Sequence, residues 1–278
     1  MKSQLTPERH LSREIRTHLR KSLDAYYAKP VGYTAFEKPS SQADWWRHLE
    51  NAIRVRSADG EKVRVLEIGS GMSGFAGYLE QHGIRDLVEL HAHDVTSHNV
   101  EWLSSAADQV HIGEISEIDL PGEFDIIFST YVLEHVSNPW MHLETLWKQL
   151  VPPRSSAGGG SLFLISPRYD LFGYLCPASR HEPPFSKLKL LMIQWEARCR
   201  AIIAGEPQFL IQTDPAVFHR PFFPDADAVH WVSLHDIRAW ARAKGSTLRR
   251  LRSTPTRLLS KQWLIRNHAT LAVEILRS

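Results

Sequence analysis

An α/β fold, built on a doubly wound, mostly parallel seven-strand sheet with helices on both faces, is predicted by three observations. Short apolar runs alternate with helical patterns from Val63 onward; a glycine-rich turn follows the first run; and a carboxylate, Asp94, ends the second. The 278 residues suffice for one or two domains. We divide them into an N-terminal helical extension over 1–62 and a main domain over 63–278, with an insertion at 167–230 as a lid.

In chain order, Thr6-Pro7-Glu8 reads as a helix start, and Leu11, Ile15, Leu19 and Leu23 follow as one apolar stripe. A second helix is predicted from Asp44 to Val55, with Trp45, Leu49 and Ile53 on one face. Strands are predicted at Val63–Ile68, Leu87–Ala92, Gln109–Ile112, Phe124–Ser129 and Ser161–Ser166. Between the last two, Asn138 caps and Pro139 opens a helix with Trp140, Leu143, Leu146, Trp147 and Leu150 on a common face, stopped by Pro152-Pro153. Inside the insertion, Ser186 is expected to cap a helix carrying a stripe of Leu188, Leu191, Trp195, Cys199 and Ile202. Ser233-Leu-His-Asp236 is a capping box for a helix ending at Gly245, and strands at Thr247–Arg252 and Ala269–Leu276 follow, the latter expected to be antiparallel.

Only two cysteines occur, Cys176 and Cys199, with no zinc-type spacing, so a reducing, cytoplasmic setting without structural metal is expected. No apolar run is long enough to span a bilayer. The formal charge of +2 conceals a division: residues 63–166 carry −10 and residues 231–278 carry +8.

The run Glu67-Ile-Gly69-Ser70-Gly71-Met-Ser-Gly74 ends a strand and opens a helix, letting backbone approach a ligand closely. Asp94, twenty residues past Gly74, is placed to accept from ribose hydroxyls, so a nucleoside-containing cofactor is expected. NAD(P) and S-adenosyl-L-methionine both suit this geometry; Glu67 separates them, because its carboxylate repels a pyrophosphate but suits the ammonium of a methionine moiety.

With Glu67, Gly69 and Gly71 in place, the chain resembles the seven-strand, Rossmann-like S-adenosylmethionine-dependent methyltransferases. Gly113-Glu114-Ile115, Phe124-Asp125 with Leu133-Glu134-His135-Val136-Ser-Asn138-Pro139, and His230-Trp231-Val-Ser233 extend the resemblance, the second of these to the subgroup with an LEHV motif after the fourth strand. It implies a donor site of Glu67, Gly69, Ser70, Gly71, Gly74, Asp94, Glu114, Ile115 and Thr130, with Glu114 accepting from the adenine amino group. His135 is the candidate general base, Glu134 its candidate orienting group, and Asp125 a loop anchor. Some relatives hold a divalent ion with Glu-x-x-Glu-His in this loop; Tyr131 stands at the first glutamate position here, so no metal is expected.

The insertion supplies Arg168, Tyr169, His181 and His230 as candidate acceptor-binding residues, with Trp195, Phe218, Phe222 and Phe223 as stacking faces or a satellite core. Arg249, Arg250, Arg252, Arg257, Lys261 and Arg266 form a basic C-terminal stretch that suits a phosphate-bearing acceptor. The reading is O-methylation of a small molecule or glycan, of surface-polysaccharide or natural-product type, with S-adenosyl-L-methionine as donor. An RNA or protein methyltransferase using the basic stretch, and a non-catalytic nucleoside-binding module, are the alternatives. The near-neutral charge disfavours nucleic acid, and the cationic helix within the insertion leaves a peripheral membrane contact open.

Overall fold

A computed structural model describes residues 5–27, 37–40, 42–153, 158–170, 183–214, 228–253 and 265–278. The strands are β1 (Leu5–Pro7), β2 (Val63–Ile68), β3 (Val88–Asp94), β4 (Gln109–Ile112), β5 (Ile126–Thr130), β6 (Ser161–Pro167), β7 (Leu210–Gln212), β8 (His230–Trp231), β9 (Thr247–Arg250) and β10 (Thr270–Leu276). The helices are α1 (Arg13–Tyr27), α2 (Ala43–Arg56), α3 (Phe75–Gln81), α4 (Val100–Ala106), α5 (Pro139–Lys148), α6 (Pro184–Ile203) and α7 (Leu234–Ala243).

The seven-strand sheet has the order β4-β3-β2-β5-β6-β10-β9, with β10 antiparallel to both of its neighbours. The expected fold class is therefore what the chain adopts, including the antiparallel strand. Alternate side chains of each central strand feed two separate cores. Leu66, Ile127 and Leu164 pack with Leu143, Leu146, Ile237 and Trp240 on one face. Val65, Phe128 and Phe163 pack with Trp46, Leu49, Ile53 and Phe75 on the other. Such period-2 filling of both faces is the reason the strands read as nearly continuous apolar runs.

Chain order reverses at β2. From there the chain adds β3 and β4 on one side and returns to add β5 and β6 on the other. The crevice above the carboxyl ends of β2 and β5 is thus the switch point at which open α/β sheets take ligands.

Several local expectations are corrected. Thr6 and Pro7 do not start a helix; they lie in β1, which pairs antiparallel with Leu210–Gln212 in a three-stranded sheet ordered β1-β7-β8. The helix begins instead at Arg13, where the Ser12 hydroxyl accepts from Ile15 N at 3.3 Å. Trp140 is exposed although Leu143, Leu146 and Trp147 of the same helix are buried, while the expected Asn138 cap is present, its side chain accepting from Met141 N. Helix α6 starts at Pro184, without a serine cap. Its apolar stripe faces outward: Leu188, Trp195 and Ile202 are exposed, and Leu190, Gln194, Ala197 and Ala201 face inward. No described helix is long and apolar enough to cross a membrane.

Candidate functional site

The crevice begins with two touching loops. Gly69 follows β2 with φ +63°, and a Cβ there would lie 2.5 Å from Val132 Cγ2. Val132 itself follows Tyr131, a non-glycine residue at φ 57° just beyond β5. Only a glycine admits this approach, and a bulky residue in the left-handed region carries a local cost. Gly74, by contrast, answers to the N-terminal segment: a Cβ there would lie 2.5 Å from the Glu37 carbonyl oxygen.

Asp94 ends β3 and holds the floor of the crevice. Its Oδ2 accepts from Gly71 N at 2.9 Å, and its Oδ1 accepts from Thr96 N at 2.9 Å. Oδ1 also accepts from the Thr96 hydroxyl at 3.3 Å, so Oδ2 is the oxygen with a lone pair left to accept from a ribose hydroxyl. Ser70 donates its N–H to His93 O and its hydroxyl to Glu67 O, which ties the turn to both strands. His93 in turn bonds Gly113 O through Nε2 at 2.8 Å, anchoring the loop that carries Glu114.

Glu67 is 6% exposed and accepts from the Ser73 hydroxyl at 2.7 Å. Burial pushes its carboxyl up to about 8, outweighing the hydrogen bonds from Ser73 and Ser70. Glu114 is partly buried, and desolvation raises its carboxyl too, against the pull of Arg20. Ile115 is buried beneath the same loop. The Thr130 hydroxyl at the end of β5 is buried and has no hydrogen-bond partner among the described residues.

Glu134 and His135 form the opposite wall. Glu134 is fully buried, accepts from the Ser166 hydroxyl at 2.9 Å, and places Oε1 3.9 Å from His135 Nε2. The His135 side chain keeps 16% of its surface exposed, and its ring meets Tyr27 edge-on at 6.5 Å. Tyr27 ends α1, and its carbonyl bonds His98 Nε2 at 3.1 Å. Arg20, earlier on α1, donates to both Glu117 oxygens at 2.5 and 2.9 Å. The N-terminal helix therefore closes over the crevice. Sequence reasoning did not find Tyr27, His98 or Arg20, because their contacts join segments far apart in the chain and carry no local motif. Trp102, which donates to Ser73 O at 3.4 Å, was missed for the same reason.

The candidate acceptor residues are not brought to this wall as open side chains. Arg168 is buried and ion-paired with Asp170, whose carboxylate also accepts from Leu234 N at 2.9 Å. Tyr169 is fully buried, and so is His230, whose Nδ1 meets Leu133 O at 3.0 Å. His181, Cys176, Phe218, Phe222, Phe223, Arg257 and Lys261 lie outside the described residues. Trp195 is exposed and belongs to no satellite core. Asp125 anchors loops as expected, accepting from Arg64 N at 2.9 Å. Of the basic stretch, Arg249 is paired with Glu274 at 2.5 Å, and Arg250 and Arg252 are exposed. Among the described residues no group of three His, Cys, Asp or Glu side chains could hold a metal ion.

With this geometry, residues 66–153 match a family model described as a methyltransferase domain. The match spans β2 to the end of α5 and its exit, which includes the glycine turn, Asp94, Glu114 and His135. The methyltransferase expectation is borne out, and S-adenosylmethionine as donor accords with it. Curated proteins yield no match. Among solved structures, the plantazolicin methyltransferase BamL, in complex with a triazolic desmethylPZN analogue and SAH, aligns at TM-score 0.50 and 13% identity, over 95% of this chain and 100% of that one. A SAM-dependent methyltransferase from Aquifex aeolicus aligns at TM-score 0.46 and 13% identity, over 95% of this chain and 98% of that one. Magnesium protoporphyrin IX methyltransferase from Synechocystis PCC 6803 aligns at TM-score 0.42 and 14% identity, over 95% and 96%. The BamL likeness shows a shared fold.

Two predictions follow from the crevice. Gly69→Ala should cost roughly 1–3 kcal/mol of stability, from a strained left-handed residue and its clash, read as a lower thermal midpoint. Adding Val132→Ala should restore part of that loss in calorimetry, and equal midpoints for the single and double variants would contradict the contact. The second concerns pH. Glu67 keeps a proton up to about 8 in the folded state but releases it near its ordinary value of 4.5 when unfolded. Its stabilising contribution is therefore complete below 4.5 and lost as pH rises toward 8. Asp236, raised to about 7 by burial, acts in the same direction. His142 and His230, depressed by burial to about 3 and about 4, act oppositely and only below their ordinary 6.5. Between pH 6.5 and 8, Glu67→Gln should therefore gain about 1–2 kcal/mol relative to the parent, read as a widening gap between their unfolding midpoints.

Proposed function

We propose that this chain is an S-adenosylmethionine-dependent methyltransferase acting on an oxygen of a small hydroxylated molecule or glycan. The observation that carries the reading is Glu67, a carboxylate buried at the switch-point crevice and paired with no cationic side chain among the described residues. A donor ammonium placed beside it would supply a positive charge, stabilise the ionised carboxylate and release its proton. A pyrophosphate at the same place would be repelled.

Asp94 would accept from a ribose hydroxyl, and Glu114 from the adenine amino group. Ser70 and Gly71 keep the turn backbone close to the ligand, and the Thr130 hydroxyl offers an unused donor at the mouth. BamL, which shares the fold, was solved with SAH, and this supports the same assignment for the crevice. Bound there, S-adenosylmethionine supplies an electrophilic methyl group.

The chain's own chemistry then lies in His135. Its side chain is partly exposed beside Tyr27, and Glu134 Oε1, 3.9 Å from Nε2, would favour an imidazolium once it forms. His135 would take the proton of the acceptor hydroxyl as the oxygen–methyl bond forms and the sulfur–methyl bond breaks. Alignment of the acceptor oxygen with the donor methyl would account for much of the rate. The insertion over 167–230 is assigned as the acceptor lid, and the segment 1–62 as the cover on the donor side.

Two variants separate binding from chemistry. Asp94→Asn should weaken donor affinity by about tenfold to a hundredfold in calorimetry, as expected for a lost charge-assisted acceptor. His135→Gln should keep that affinity yet lower turnover by roughly 10²–10⁴-fold in an assay of S-adenosylhomocysteine formation over a panel of nucleotide sugars and lipid-linked glycans. Unchanged donor affinity in the first variant would remove the cofactor assignment, and unchanged turnover in the second would remove the base.

A further inference from the structure

Helix α6 reverses the usual arrangement of sizes. Toward the protein it presents Leu190, Gln194, Ala197 and Ala201, all buried. Away from it stand Phe185 at 89% exposure, Leu188 at 57%, Met192 and Trp195 at 64%, and Ile202 at 55%. Spacings of three, four, three and seven residues put these five on one stripe along the helix. Single exposed apolar residues are ordinary, but a continuous stripe of large ones marks a surface that something covers.

The charges beside the stripe say what that is. At 100° per residue, Lys187 borders one margin of the stripe, and Lys189 and Arg200 the other, while the Arg198 guanidinium is buried near Asp170. The single acid, Glu196, is taken up by Arg200 at 2.7 Å. The positive field extends beyond the helix, since α6 packs on α7, which carries exposed Arg238. Arg250 of β9 is exposed as well, whereas Arg168 is buried and paired with Asp170.

We propose that this face of α6 seats the protein on the surface of an anionic lipid bilayer, with the helix axis in the membrane plane. An apolar stripe with cations on both margins fits that environment: the large side chains enter the acyl boundary while the Lys and Arg side chains reach the headgroups. A second copy of the chain fits worse, because any two-fold packing of stripe on stripe sets Lys or Arg margins against one another. The surface stands on the helix geometry alone and does not depend on which acceptor is methylated.

The test is co-sedimentation of the full chain with vesicles of phosphatidylcholine, with and without about a third phosphatidylglycerol, at low and high salt. The expected result is at least about tenfold stronger binding to the anionic vesicles, diminished by salt. Combined Leu188→Glu and Trp195→Glu should abolish binding, and Lys189→Gln should cost about fivefold, with thermal midpoints little changed because these side chains are largely exposed. Equal binding to both vesicles, no binding to either, or undiminished binding by the double variant would overturn the proposal. So would a concentration-dependent dimer in light scattering that the double variant dissolves, since the occupant would then be a second copy.

Discussion

The close approach of Gly69 to Val132 is the constraint around which the rest of the crevice is arranged. Two parallel strands, β2 and β5, run side by side at the point where chain order reverses, so the turns leaving them must share one small space. The first solves this with a residue lacking a Cβ in the left-handed region. The second places Tyr131 in that region and then sends Val132 into the space that Gly69 leaves. Once these turns interlock, Asp94 reaches the Gly71 N–H, and Glu134 and His135 are delivered to the facing wall. A crevice held by backbone geometry is rigid where the ligand must be oriented.

Electrostatics divides the molecule in a way that follows from its architecture. The segment with charge −10 builds β2 to β6 and carries the carboxylates Glu67, Asp94 and Glu114 around the crevice. Burial of Glu67 stores a free-energy cost of ionisation that a cationic ligand can offset. The cations gather elsewhere, along α6, α7 and β9. A ligand bearing positive charge is drawn to one region, and a negatively charged surface to the other.

Much of this was legible in the residue order. The strands feeding both cores announce themselves as apolar runs, and β4 has the predicted bounds, Gln109–Ile112. Helix α5 could be read from Asn138 and Pro139 because capping is local, a hydrogen bond between residues three apart. The β1-β7-β8 sheet was not legible: strands of two or three residues show no period, and the pairing of Thr6 with Ile211 overrides a strong helix-start signal. The stripe on α6 was legible, but its direction was not. Periodicity reports that a helix has two faces; which one meets the protein is settled by partners, and here Gln194 and Ala197 won over Trp195. Around the crevice the motif residues were found, while Tyr27 and Trp102 were not, since tertiary contact alone brings them there.

The pairing of β1 with β7 also has a bearing on the order of events during synthesis. Leu5–Pro7 leaves the ribosome long before Leu210–Gln212 exists, and its backbone groups must stay solvated or find temporary partners until then. Most sheet contacts, from β2 through β6, join neighbours close in sequence and can form as the chain emerges. The Glu8 carboxylate, which accepts from Trp140 N at 3.0 Å, gives the early segment an intermediate place to anchor on the finished helix α5. Closure of the small sheet is then a late step, whereas the contacts of α1 with His98, Glu117 and His135 need no residue beyond His135, so the cover over the crevice and the sheet that anchors its leading strand are completed at different points of synthesis.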